Sequence, residues 1–192
     1  MSKTYKILTV TPFFPPDVGG LSTHVLNINA NLIKEGNDVS IIVPKHFDNK
    51  IKESNEIFSQ IYRMNSIYLP GWPYTTLRSM SIPIDLGLKI KSVIRNGDFD
   101  IIHVHGHHFP TSWIAINSAH KYGVTSVLTM HGMYALNPNV LGGKSIIEDC
   151  LNKYVFTRIL SKINGVIGLT EHITNYAKQF GKNKTKYFTI PN

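Results

Sequence analysis

Residues 6–25 read KILTVTPFFPPDVGGLSTHV, and the change of rhythm inside them sets the expected fold. Residues 6–10 form a short apolar run, of the kind carried by a strand buried on both faces. Leu21, Val25, Ile28 and Leu32 then recur at helical spacing, and Gly36 is placed to stop the helix. Between the two, Pro12, Pro15 and Pro16 stiffen the connection and remove backbone donors. Gly19 and Gly20 let the backbone approach a ligand and take unusual dihedrals. Ser22 or Thr23 is placed to cap the helix, whose first free N–H groups favour an anion. Taken alone, the stretch fits a tight capped turn and an anion-binding floor equally well. It is neither G-x-G-x-x-G nor a Walker-A loop, which counts against dinucleotide oxidoreductases and P-loop enzymes.

Outward from this unit the same alternation continues. Residues 39–43 (VSIIV), ended by Pro44, and residues 61–69 are expected strands, as are 100–105 (DIIHVH), 126–130 (SVLTM), 165–169 (GVIGL) and 186–190 (KYFTI). Helical patterns cover residues 84–95, the set Trp113, Ile116 and Ala119, the set Ile147, Leu151, Val155 and Ile159, and residues 171–180. Residues 70–76 (PGWPYTT) read as a loop. Apolar strands alternating with helices predict an α/β, Rossmann-like three-layer domain whose mostly parallel sheet is covered on both faces. Ligands of such sheets bind beyond the carboxyl ends of the strands. The chemistry is therefore expected just after Val10, His105, Met130 and Leu169.

Histidines crowd two of those ends. The run HVHGHH holds His103, His105, His107 and His108. One reading is a zinc site of a hydrolase, which would require further ligands and carboxylate partners. The other makes His103 a structural strand residue, puts His105 at the strand tip facing a ligand, and leaves His107 and His108 to the loop or surface. After the next strand, Met130, His131 and Gly132 place a histidine where it can donate to a sugar hydroxyl or a phosphate. Thr170 starts a helix with Glu171 in its first turn, where a carboxylate complements the helix dipole.

The bulk properties narrow the class. The chain has 192 residues, 42% of them hydrophobic and 17% charged, an ordinary globular composition. No apolar run approaches the roughly 18 residues that would suggest a membrane span. The first ten residues lack the features of a secretory signal, and a lone cysteine, Cys150, fits a reducing, cytoplasmic setting. A net charge of +8 favours polyanions, anionic membranes or phosphorylated small molecules. The lysines near the end are spaced within polar sequence and form no basic run interleaved with aromatics, so no nucleic-acid groove is expected. Residues 77–95 mix apolar side chains with Arg78, Lys89, Lys91 and Arg95, which raises a peripheral-membrane reading. Pro83 and Gly87 break any long membrane helix, and an amphipathic core helix is the preferred expectation.

In order along the chain, PFFPPDVGG, the helix that follows it, DFDIIHVHG, TSVLTMHG, INGVIGLTEH and FTIPN resemble the N-terminal domain of a family 4 (group 1) glycosyltransferase with the GT-B fold. The resemblance implies that residues 1–192 are the acceptor-side half of a two-domain enzyme, with a nucleotide-sugar-binding C-terminal domain beyond them. It implies a hexosyltransferase that moves a sugar from a nucleotide-sugar to a glycan or lipid-linked acceptor with retention, the isolated domain being inactive. Gly19 and Gly20 would approach the donor diphosphate and sugar. His105 and His131 match the strand-tip histidines near the reacting sugar, while Gly132 and Thr170 would contact the acceptor or substrate. No metal and no other cofactor is implied. Expected partners are the donor, the acceptor, the chain's own C-terminal domain and the inner face of an anionic membrane. A zinc hydrolase built on His103–His108 and a non-catalytic binding module of the same fold are the alternatives.

Overall fold

The computed structural model describes residues 3–14, 19–45, 57–68, 81–85, 87–132, 150–181 and 184–191. The apolar runs form β1 (Lys6–Val10), β2 (Asp38–Pro44), β3 (Gln60–Met64), β6 (Ile101–His105), β7 (Thr125–Met130), β8 (Gly165–Gly168) and β9 (Lys186–Thr189). These seven make one sheet in the order β3-β2-β1-β6-β7-β8-β9, and every neighbouring pair is parallel. The strand order reverses between β1 and β6, where Ile7 pairs with Ile101 and Val10 with Val104. In a doubly wound sheet that reversal opens a crevice at the carboxyl ends.

Helices α1 (Gly20–Lys34), α2 (Leu88–Asn96), α3 (Pro110–Tyr122) and α5 (Glu171–Phe180) follow the predicted segments. The described part of α4 opens as a π-helical turn, Leu151–Phe156, and continues as Thr157–Leu160. Alternate strand residues sort onto two faces. Leu8, Val10, Ile102, Val104, Leu128 and Met130 bury against α2, α3, α4 and α5 in the larger core. Ile7, Val39, Ile41 and Val43 bury on the other face, with Val25 of α1 and the aromatic rings of Phe14 and Phe58.

Several expectations shift. Residues 61–69 do not form one strand: β3 ends at Met64, and β4 (Ser66–Tyr68) pairs antiparallel with β5 (Ser81–Pro83) in a separate small sheet. Helix α2 starts later than residue 84 because the Asp85 carboxylate takes the Gly87 and Lys89 N–H groups and caps it from outside. It buries Ile90 and Ile94, as an amphipathic core helix does. The expected apolar stripe of α1 is rotated. Ser22, Val25 and Asn29 are the buried residues, and Asn29 is satisfied by accepting from Thr9 Oγ1 at 2.7 Å and donating to Val25 O at 2.8 Å. Ile28 instead lines an apolar groove with Ile101, His103, Val127 and Ile167. The second face of the sheet is thus only partly covered by the described residues. Residues 70–76 and Ile147 lie outside them.

Candidate active site

Three elements deliver the site, each for a local reason. The loop after β1 is anchored by Thr11 Oγ1, which donates to Phe13 O at 2.9 Å, and by an edge-on contact between the Phe13 and Phe109 rings. Pro12 is buried, and Pro15 and Pro16 lie outside the described residues. The loop ends at Gly19, the N-cap of α1, which is extended (φ 166°) and makes no side-chain cap bond. Neither expected cap is formed: Ser22 is buried and Thr23 is exposed. The unusual dihedrals expected of the glycine pair are also absent, since neither lies in the left-handed region and Gly19 is extended. The close-approach argument has a basis in the structure: a Cβ on Gly19 or Gly20 would meet nothing within 4 Å. No side-chain cap bond is made at the N-terminus of α1, which leaves its first-turn N–H groups without one.

The histidine run is divided by one backbone angle. Gly106 has φ +77°, a conformation that costs a residue with a side chain, and its N–H bonds Thr129 O at 2.9 Å. His103 and His105 stay on the α1 face, where His103 Nε2 bonds Thr129 Oγ1 at 2.8 Å. His107 turns the other way and packs its ring 4.8 Å from that of Phe156. It is fully buried rather than a surface residue. His103, His105, His107 and His108 therefore do not form a single ligand set, and the zinc-hydrolase reading loses its cluster.

What does assemble is His24 of α1, His105 at the tip of β6 and His131 just after β7. The His24 and His131 rings stand 4.8 Å apart and nearly perpendicular. His105 Nδ1 lies 3.2 Å from His131 Nε2. His105 has no exposed surface, so it does not face a ligand directly as expected; it meets His131, which is half-buried. His105 Nε2 is buried without a hydrogen-bond partner. A proton there would be an orphan donor, so the favoured tautomer carries it on Nδ1 and donates to His131 Nε2. His131 then holds its own proton on Nδ1, the donor left for a ligand.

Burial sets the charge of the group. Desolvation, then the nearby His24 and His103, lower His131 from 6.5 to about 3. Desolvation, with His24 second, lowers His103 to about 4. Desolvation first, then His103, His131 and His24, takes His105 well below its ordinary value. These imidazoles are neutral at pH 7 and act as hydrogen-bonding groups, not cations.

A cleft of about 580 Å³ opens beside the group, lined by Gly20, Thr23, His24, Thr129 and Leu169 among others. Gly132 borders open space on its Cα. Thr170 is the N-cap of α5, its Oγ1 accepting the Ile173 N–H at 3.2 Å, with Glu171 in the first turn. The structure thus gathers Gly20, His105 and His131 at the strand-order reversal and adds His24. Nothing in the residue spacing marked His24, since it sits at a polar position of a helical run; only the topology brings it beside His131.

Residues 18–192 match the Glycosyltransferase Family 4. Over 141 residues the chain is 26% identical to the phosphatidylinositol N-acetylglucosaminyltransferase GPI3 subunit of Saccharomyces cerevisiae, covering 69% of this chain and 28% of that protein. Over 102 residues it is 26% identical to a phosphatidyl-myo-inositol mannosyltransferase of Propionibacterium freudenreichii, covering 53% of this chain and 27% of the relative. The chain thus spans under a third of the length of these curated relatives. A sucrose-phosphate synthase from Thermosynechococcus elongatus superposes with a TM-score of 0.62 at 15% identity, covering 97% of this chain and 89% of that one. That likeness shows the fold, the Rossmann-like arrangement found in GT-B glycosyltransferases. The family match spans nearly the whole chain, and the chain is a member of glycosyltransferase family 4.

Proposed function

We propose that this chain is the N-terminal, acceptor-side domain of a hexosyltransferase that moves a sugar from a nucleotide-sugar to a lipid-linked or glycan acceptor with retention. The observation that carries the reading is the convergence of the uncapped α1 N-terminus, His105 and His131 at the reversal between β1 and β6. The leaving group is a nucleoside diphosphate, so the largest contribution available to the protein is stabilisation of its developing charge. First-turn N–H groups at Gly20 and Leu21 would meet the diphosphate. An exposed helix terminus contributes only about 0.3–1 kcal/mol, so it assists the second domain rather than replacing it. His131 would donate through Nδ1 to the transferred sugar, and His105 would act as a positioning residue that holds the His131 tautomer.

A lipid-linked acceptor is favoured because both relatives carry phosphatidylinositol in their names. The rest of the assignment is a cytoplasmic enzyme that touches the anionic inner face of a membrane, has no nucleic-acid partner, and needs no metal for transfer. Residues 1–192 alone are expected to be inactive, the nucleotide being held by a C-terminal domain. Gly132 and Thr170 remain proposed contacts for the acceptor or substrate.

The test is glycosyl transfer by the full-length protein against a panel of nucleotide-sugars and inositol phospholipids. His131→Ala should lower turnover about a hundredfold or more, as removal of one charge-stabilising donor does. Unchanged turnover in a folded His131→Ala variant would instead favour the non-catalytic binding module.

A further inference from the structure

His24, His105 and His131 also form a ligand set, a property that sugar transfer does not require. Each ring offers one nitrogen, and the three nitrogens lie within 4.8 Å of one another. Two imidazoles bound at 2.0–2.1 Å in a tetrahedral site stand about 3.3 Å apart. The His105–His131 pair already has that spacing, at 3.2 Å. His24 has at most about 1.5 Å to close to complete the same edge length.

The chemistry of the set selects the ion. It is three imidazoles, with no carboxylate or thiolate joining them among the described residues. Such a set suits zinc, cobalt, nickel or copper, whereas magnesium and calcium prefer oxygen donors. Three protein ligands leave the fourth position open toward the cleft that His24 lines.

We propose that His24, His105 and His131 bind one divalent transition-metal ion of the zinc class, and that the ion inhibits transfer. Binding replaces the His105–His131 hydrogen bond with two metal–nitrogen bonds, and the His105 proton moves from Nδ1 to the buried Nε2, an unpartnered donor whose cost the two metal–nitrogen bonds must offset. The relay that fixes the His131 tautomer and the bound ion are therefore mutually exclusive. The inhibitory part rests on the transferase reading above; the site itself does not.

Cobalt(II) titration of untagged, chelator-stripped full-length protein tests the site without any activity assay. The expected result is one equivalent giving the intense visible bands of tetrahedral cobalt, displaced by zinc but not by excess magnesium. His24→Gln, which keeps the volume and loses the ligand, should abolish the bands while melting like the parent. No bands in the parent, or undiminished bands in His24→Gln, overturns the site. In the transfer assay, saturating zinc should stop turnover and a chelator should restore it. Full turnover with the cobalt or zinc site filled overturns the inhibition, and absence of transfer by metal-free protein with every donor defeats the transferase reading while leaving the site intact.

Discussion

His103 has one hydrogen bond, to Thr129 Oγ1, and almost no contact with water. Its pKa is lowered from 6.5 to about 4, so between those values the unfolded chain takes up a proton that the folded chain refuses. Unfolding therefore binds protons in that window, and stability rises with pH through it. It is complete above about 6.5 and is lost as pH falls toward 4, with His103 alone accounting for about 3 kcal/mol at the lower end. Urea melts of chelator-treated protein should show this slope, and His103→Asn should reduce it, leaving the part that His105 and His131 contribute. An equal slope in the variant would remove the argument. Legibility at this scale was uneven. His103 was readable as structural, because a histidine inside an apolar strand must find a partner. His107 was not: a run of histidines reads as hydrophilic, and only the bend at Gly106 shows that its ring goes beneath Phe156.

Elements were legible where one physical signal dominates. Runs such as KILTV and SVLTM are buried on both faces, so the strands they form match the expected bounds within a residue. The three-residue strands β4 and β5 carry too few positions for any alternation to show. Helix α1 was found by period but rotated, because Asn29 in the core is made cheap by Thr9 and the backbone of Val25, a pairing no spacing rule contains. Glycines at element ends allow a clean comparison. Gly123, the C-cap of α3, has φ +71° and open space where a Cβ would sit, whereas a Cβ on Gly106 would meet the Phe109 ring at 2.8 Å. Gly123→Ala should cost only the left-handed backbone penalty, about 1–2 kcal/mol. Gly106→Ala should cost that plus a displaced Phe109, about 1–3 kcal/mol more. Equilibrium denaturation of the two variants checks the order, and equal losses would mean that the Phe109 contact is soft.

At the scale of the whole molecule, the motif order along the chain identified the family, although no single motif was strong, because a parallel sheet places successive strand tips side by side. The same topology hid the His24 contact, which depends on α1 lying over β6 and β7. The net charge of +8 belongs to this scale too. Full-length protein should sediment with vesicles containing anionic lipid and be released as salt rises past the point where the Debye length falls below about 8 Å. Equal sedimentation with neutral vesicles, or none with either, would separate the charge from any membrane role. Among the described residues no helix is long and apolar enough to cross a membrane.

The pairing of β1 with β6 also governs when the cleft can exist. Lys6 and Asp100, joined by a 2.8 Å backbone-to-carboxylate bond, are 94 residues apart in sequence. Closing so long a loop is slow, and contacts of that range come late in folding. During synthesis β1 can pair with β2 on one side while its other edge stays bare until β6 emerges. A bare apolar edge is a template for pairing with another chain. The crevice that holds the histidines thus cannot form until β6 and then β7 have emerged, and until β6 pairs, the bare edge of β1 is a route to aggregation.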